Sequence, residues 1–164
     1  MNISFMRYYM PQSLSNVLLH IVFSTKNRHP FIDEDIEPEL YTYMASIAVS
    51  NGSYVHKIGG VSDHIHLFTT LPRTLTISDL LEERKKNSSK WIKAKGKKYE
   101  DFSWQKGFGA FSESASQHDV VVAYITNQKQ HHKTQTYQDE YHKFFNSKKF
   151  PMMKDIFGIN VNVL

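Results

Sequence analysis

The sequence predicts an α+β domain of the ferredoxin-like, split βαβ type: an antiparallel sheet with helices on one face and a further C-terminal helix. Three observations predict it. Apolar residues switch between a period of two and a period of about 3.6 in the order strand, helix, strand, strand, helix, strand, helix. Two strand-like runs meet at Gly59-Gly60, as in a hairpin. The chain has 164 residues, enough for one well-buried core and too few for two ordinary domains. We therefore expect one domain over 1–164, with a core at about 14–132 and a C-terminal helix and tail at about 133–164.

Taken in order, residues 14–24 are rich in Val, Leu, Ile and Phe and read as a mostly buried first strand. Residues 33–51 carry Ile36, Leu40, Met44 and Ile47 at helical spacing, with Pro38 near the start and Asn51-Gly52 as a stop. Residues 53–58 and 61–71 form the hairpin around the Gly59-Gly60 turn. Pro72 ends it, and Thr76 with Asp79 resembles an N-cap pair opening a second helix through Leu80, Leu81, Arg84, Ser88, Trp91 and Ile92. Residues 102–112 read as a strand or strand pair interrupted by Gly107 and Gly109. Ser116 and Asp119 are placed to cap a helix through Tyr124, which the small residues of 107–116 would hinge. A last short helix is expected at about 136–145, carrying Tyr137, Tyr141, Phe144 and Phe145.

Composition narrows the function classes. There are no cysteines, so disulfides and thiolate metal sites are excluded and any ligand must be His, Gln or carboxylate. No apolar run approaches the ~20 residues that span a bilayer, and residues 1–15 lack the basic start and apolar stretch of an export signal. A cytoplasmic protein, nucleoid-associated when bound to DNA, is expected. The net charge of +4 and pI of 9.1 are modest, but from Arg84 to Lys98 eight of fifteen residues are basic and none is acidic. Such a block neutralises phosphates without reading sequence. Trp91 and Tyr99 lie within or beside it, and aromatics among cations suit single-stranded nucleic acid.

Two short motifs carry chemistry. In the run from Val61 to Leu71, strand alternation sends Val61, Ile65 and Leu67 to one face and Ser62, His64, His66 and Phe68 to the other. Two imidazoles at i and i+2 on a stiff strand can chelate one ion. In the run from Val120 to Gln128, a helix sets Tyr124 and Gln128 one turn apart on one face, so that a phenol and an amide oxygen approach the same point.

Five blocks stand in an order and spacing that resemble one family: His20 to Arg28, Gly59 to Leu67, Lys86 to Trp91, Trp104 to Ser112, and Tyr124 to His132. It is that of the single-tyrosine HUH transposases of the small insertion sequences, the IS-two-hundred and IS-six-zero-five type. The resemblance implies an enzyme that cuts and rejoins single-stranded DNA through a 5'-phosphotyrosine. It implies that His64 and His66 are the HUH pair, Tyr124 the nucleophile and Gln128 the third metal ligand. It further implies Mg2+ with Mn2+ as substitute, recognition of imperfect DNA hairpins at element ends, and a homodimer in which a tyrosine helix can serve its own subunit or its neighbour. Imidazole ligands themselves favour softer divalent ions over Mg2+.

Within the basic block, Arg84, Lys86, Ser88, Ser89, Lys90 and Lys93 are the candidates for DNA contacts. Lys86-Asn87 stands where the family pattern suggests Lys-Gly, and Glu82-Glu83 puts acids just before the block; both bear on DNA affinity. No general base declares itself: His131 is a candidate, with a metal-linked water or the departing group preferred. His20, His29, His56, His118, His132 and His142 are read as structural or surface residues. Two rivals remain: a domesticated relative that processes chromosomal palindromic repeats, and a non-catalytic nucleic-acid-binding module on the same frame.

Overall fold

The computed structural model describes residues 14–133 and Asp139. The helix expected at 136–145 lies outside the described residues. Four strands, β1 (Leu18–Ser24), β2 (Val55–Val61), β3 (His64–Thr70) and β4 (Gly109–Glu113), form one antiparallel sheet in the order β2-β3-β1-β4. Between them run α1 (Glu37–Ser50) and α2 (Ile77–Lys93); after β4 come α3 (His118–Thr126) and the single turn α4 (Gln128–His131). This is the α+β arrangement that the sequence predicts.

The register of β1 on β3 pairs Val22 with His66, Ser24 with His64 and His20 with Phe68. Since paired residues point the same way, Leu18, His20, Val22 and Ser24 share a face with His64, His66 and Phe68. The opposite face, with Leu19, Ile21, Phe23, Ile65 and Leu67, joins the main core beneath α1 and α2, where Leu40, Met44, Leu80, Leu81 and Ile92 are buried. Burying each of these side chains contributes about 1.5–3 kcal/mol. The histidine face meets a smaller cluster of Leu18, Phe68, Val121 and Ile125, supplied on the far side by α3. So α1 and α2 cover one side of the sheet, and the tyrosine helix covers the other.

Local signals place most boundaries. Pro38 sits in the first turn of α1, where its missing N–H costs nothing. Thr76 and Asp79 form a reciprocal capping box at α2. Three expectations need correction. Gly59 and Gly60 lie inside β2, and the hairpin turns at Ser62-Asp63. Most of the supposed hinge at 107–116 is strand: Gly109–Glu113 pairs with β1, leaving a short 3-10 turn at Ala115–Gln117 as the link to α3. Ser116 does not cap α3; no side-chain cap is present, and its hydroxyl bonds Ser114 Oγ at 2.8 Å.

Asp33 ties the entry of α1 to the segment after α2. Its Oδ1 accepts from the backbone N–H of Asp35 and Ile36, while its Oδ2 accepts from Tyr99 Oη at 2.7 Å and pairs with Lys98 Nζ at 2.6 Å. Burial alone would raise its carboxyl, but the hydrogen bonds from Lys98, Tyr99 and Ile36 and the charge of Lys98 outweigh it and hold the group at about 2, against an ordinary 3.8. A carboxyl lowered on folding contributes stability that is whole above its unfolded pKa and lost as pH falls through the folded one. Asp33→Asn is therefore expected to melt at a lower temperature than the parent at pH 7. The two melting points should converge between pH 4 and pH 2, as thermal unfolding followed by circular dichroism would record.

Candidate active site

His64 and His66 stand on the central strand β3 and are sealed from solvent, at 0% and 3% exposure. Buried imidazoles need partners, and each is held at Nδ1. His64 Nδ1 lies 2.7 Å from Asp63 Oδ1, and His66 Nδ1 lies 2.9 Å from His20 Nε2. Asp63 is itself fixed: Arg28 donates to its Oδ2 from Nε and Nη2 at 3.1 and 2.9 Å, and Thr25 donates to its carbonyl from both N–H and hydroxyl. A tight turn at Lys26–Arg28, with Asn27 and Arg28 both at positive φ, brings the guanidinium over Asp63. Burial pushes the Asp63 carboxyl up, but His64 and Arg28 together pull it below its ordinary value. It stays an anion and an acceptor.

Burial drives His66 well below its ordinary pKa, and the neighbouring His20, His64 and His132 push in the same direction. The ring is neutral at pH 7, with a lone pair to offer. Its Nε2 is buried and has no hydrogen-bond partner among the described residues. A buried, unsatisfied imidazole nitrogen is costly unless something binds it.

Tyr124 lies against His66 and His20 within the same chain. Its ring meets His66 edge-on at 5.6 Å between centroids and His20 at 5.8 Å, with His131 at 5.6 Å on another side. The helix does not run unbroken to Gln128: α3 ends at Thr126, Asn127 departs from helical angles, and α4 begins at Gln128. Asn127 N–H still bonds the Ala123 carbonyl, so the turn is nearly preserved. Gln128 therefore faces inward at 1% exposure, with Oε1 shielded from solvent. One turn further, His132 packs edge-on against His64 at 4.7 Å.

These donors suit a divalent cation. Among the described residues no three His, Cys, Asp or Glu side chains gather as a metal cluster; the buried Gln128 amide is the further oxygen donor on the helix side. The imidazoles of His64 and His66, each tethered at Nδ1, and the buried amide oxygen of Gln128 are an N,N,O donor set of the kind that leaves positions for substrate.

The candidate DNA-contact residues divide by exposure. Lys86, Lys90 and Lys93 are exposed on α2, and Ser89 is half-buried. Arg84 and Ser88 are fully buried and cannot touch DNA in this conformation. Ser88 Oγ donates to the Arg84 carbonyl and accepts from Trp104 Nε1, a structural link between α2 and the sheet. The aromatics of the basic block are also engaged internally: Tyr99 is buried against Asp33, and Trp91 stacks on Tyr43 with Lys95 Nζ 4.3 Å from its centroid. Sequence reasoning missed His20, Asp63 and His132 at the site. The regular spacing of Tyr124, Gln128 and His132 at i, i+4 and i+8 was the available signal for the last.

The family of IS200-like transposases matches residues 13–128. This chain belongs to that family. The IS200-like fold recurs in solved structures. A protein described as a candidate transposase from Deinococcus radiodurans R1 superposes with a TM-score of 0.58 at 19% identity, over 73% of this chain and 95% of that one. A REP-associated tyrosine transposase bound to a REP hairpin superposes with a TM-score of 0.55 at 15% identity, over 94% of this chain and 96% of that one. A search of curated proteins returned no match. No helix among the described residues of this IS200-like transposase is long and apolar enough to cross a membrane.

The close seat of α3 depends on Gly59. A Cβ there would stand 2.6 Å from the Ile125 carbonyl oxygen and 2.9 Å from its Cγ2. Gly59→Ala should therefore lift α3 while leaving the core beneath α1 and α2 intact, at a cost of about 1–3 kcal/mol. Hydrogen exchange would show lost protection in residues 118–131, with the amides of β1 and β3 unchanged.

Proposed function

We propose that this transposase cleaves and rejoins single-stranded DNA at hairpin-bearing ends by metal-assisted transesterification, with Tyr124 as nucleophile. The observation that carries the reading is the seating of the Tyr124 ring against His66, one of the two buried histidines of β3, in its own chain. Tyr124 Oη attacks phosphorus, the bond to the 3'-oxygen breaks, and a 5'-phosphotyrosine and a free 3'-hydroxyl result. The ester is exchanged and not hydrolysed, so a second 3'-hydroxyl can reverse the step and rejoin the strand without ATP. A phenol's ordinary pKa of about 10 means its proton must leave during attack. The departing 3'-oxygen, directly or through a metal-linked water, takes up a proton as it leaves, and His131, whose ring centroid lies 5.6 Å from that of Tyr124, is the side-chain candidate for relaying it.

A divalent cation, Mg2+ or Mn2+ in its place, would be held by His64, His66 and Gln128 and would neutralise charge on the non-bridging oxygens. Asp63, with Arg28 behind it, keeps His64 turned with Nε2 inward. The overlying helix excludes water from the pair. For DNA, the exposed Lys86, Lys90 and Lys93 supply phosphate contacts. A cavity of about 460 Å³ between α2 and residues 103–108, lined by Lys85, Lys86, Lys106, Trp104 and Phe108, offers cations beside aromatic rings for unstacked nucleotides.

A second reading keeps the chemistry and changes the biology: processing of chromosomal palindromic repeats in place of mobilising an element. The extent of the match to the hairpin-bound REP-associated transposase favours it. Hairpin ends flanking the gene would support transposition, and repeats scattered elsewhere the domesticated role. A non-catalytic binding module would bind the hairpin without a covalent product.

Incubation with a single-stranded hairpin oligonucleotide and Mg2+ should give a covalent adduct that runs slowly on a denaturing gel. Tyr124→Phe should abolish it; an unchanged adduct in that variant would place the nucleophile elsewhere. Chelation by EDTA should stop adduct formation and Mn2+ should restore it.

The assembly we propose is a homodimer with each tyrosine acting within its own subunit. A mixture of Tyr124→Phe and His66→Ala proteins, co-expressed as a dimer, should then remain inactive. Recovered cleavage would show exchange of tyrosine helices between subunits.

A further inference from the structure

His20 has no part in the cleavage scheme, yet it is among the most buried polar side chains of the protein, 1% exposed on the central strand β1. Its Nε2 lies 2.9 Å from His66 Nδ1. Its Nδ1 faces Glu113 Oε1 at 4.0 Å, and both side chains are sealed, at 2% and 5% exposure. We propose that His20 is the positioning residue for His66: through the hydrogen bond at Nδ1 it fixes the tautomer and ring plane that aim His66 Nε2 into the site. This rests on reading His64 and His66 as ligands of a divalent cation.

The polarity follows from the outward end. A His66 Nε2 that ligates a cation must be a lone pair, so His66 carries its proton on Nδ1 and His20 Nε2 accepts it at 2.9 Å. His66 Nε2 is the nitrogen that has no hydrogen-bond partner among the described residues. Glu113, paired with Leu18 at the end of β4, places a carboxylate on the far side of the His20 ring. His64 has the parallel arrangement in a single step, with Asp63 accepting directly from Nδ1. The two ligands are thus oriented by different devices, one from the hairpin turn and one across the sheet.

Packing alone would explain a buried ring at position 20, so the test separates hydrogen bonding from volume. His20→Leu keeps an apolar side chain of similar size and removes the acceptor; His20→Gln places an amide within reach of His66 Nδ1. Titration calorimetry of Mn2+ into the metal-free, full-length proteins should show affinity about 10–100-fold weaker for His20→Leu, with His20→Gln recovering most of the loss. Equal Mn2+ affinity in His20→Leu and wild type would overturn the proposal, as would equal loss in both variants. If wild type itself binds no Mn2+, the ligand reading fails and not merely the role of His20. A readout without any variant is the 15N shift pattern of His66 in metal-free wild type. It should report the Nδ1-protonated tautomer, and the Nε2-protonated form would overturn the relay even if both variants misfold.

Discussion

The antiparallel register of β1 on β3 is the constraint on which the rest depends. Side chains alternate with a period of two, so a slip of one residue would turn every side chain of a strand to the other face. It would bury His64 and His66 under α1 and α2, and expose Ile65 and Leu67 to α3. The apolar set Leu19, Ile21, Phe23, Ile65 and Leu67 has one way to sit beneath the helices, and that way turns His20, His64 and His66 together onto the opposite face. Core burial thereby selects the register, and the register assembles the site. No loop needs to be ordered to bring the imidazoles together.

Placing three histidines in a water-poor layer has a cost, and the surroundings show how it is contained. Burial and mutual repulsion hold His66 neutral. Each neutral ring still has one N–H that must find an acceptor, and those acceptors are Asp63 for His64 and His20 for His66. Charge is admitted only at the periphery. Asp63 meets Arg28 near the surface, and Glu113 sits on an edge strand. The left-handed conformations at Asn27 and Arg28 belong to the same economy, since backbone strain of this kind persists where the surrounding contacts fix it.

The fold class and the HUH motif were legible because they are encoded by periodicity, which a sequence displays directly. The alternation from His64 to Thr70 assigned each side chain to its face, although Val61, across the turn, pairs with His64 and shares its face instead of that of Ile65; the Thr76/Asp79 box marked the start of α2 within one residue. What escaped was long-range. Gly59 and Gly60 read as a turn because glycines punctuate chains, whereas the need for Gly59 comes from the backbone of Ile125, 66 positions away. Arg84 and Ser88 read as phosphate contacts because basic residues cluster there, but Ser88 faces Trp104, which the sheet presents. His20 looked like one polar residue in an apolar strand; only the pairing of β1 with β3 reveals His66 as its neighbour. The metal and the hairpin target had no signal in periodicity or charge and entered only through the family resemblance.

The unequal anchoring of the two layers bears on how an exchange reaction can proceed. α1 and α2 rest on a large apolar core, while α3 is held by Leu18, Phe68, Val121 and Ile125, the contact at Gly59 and a His118–His56 hydrogen bond of 3.0 Å. His56 is kept below its ordinary pKa by burial and by His118, so even that polar tether joins two groups that repel when both are charged. The proposed cleavage and rejoining would require Tyr124 to attack one strand and later release it to another, with the histidine pair unmoved. A helix attached by a small, shallow patch over a rigid sheet satisfies both demands. Stiffening that patch would stabilise the fold and oppose the exchange, since regions that move in function are drawn from the less stable parts of a structure. The sheet carries the precision of the site, and α3 carries its reactive group on the more weakly held layer.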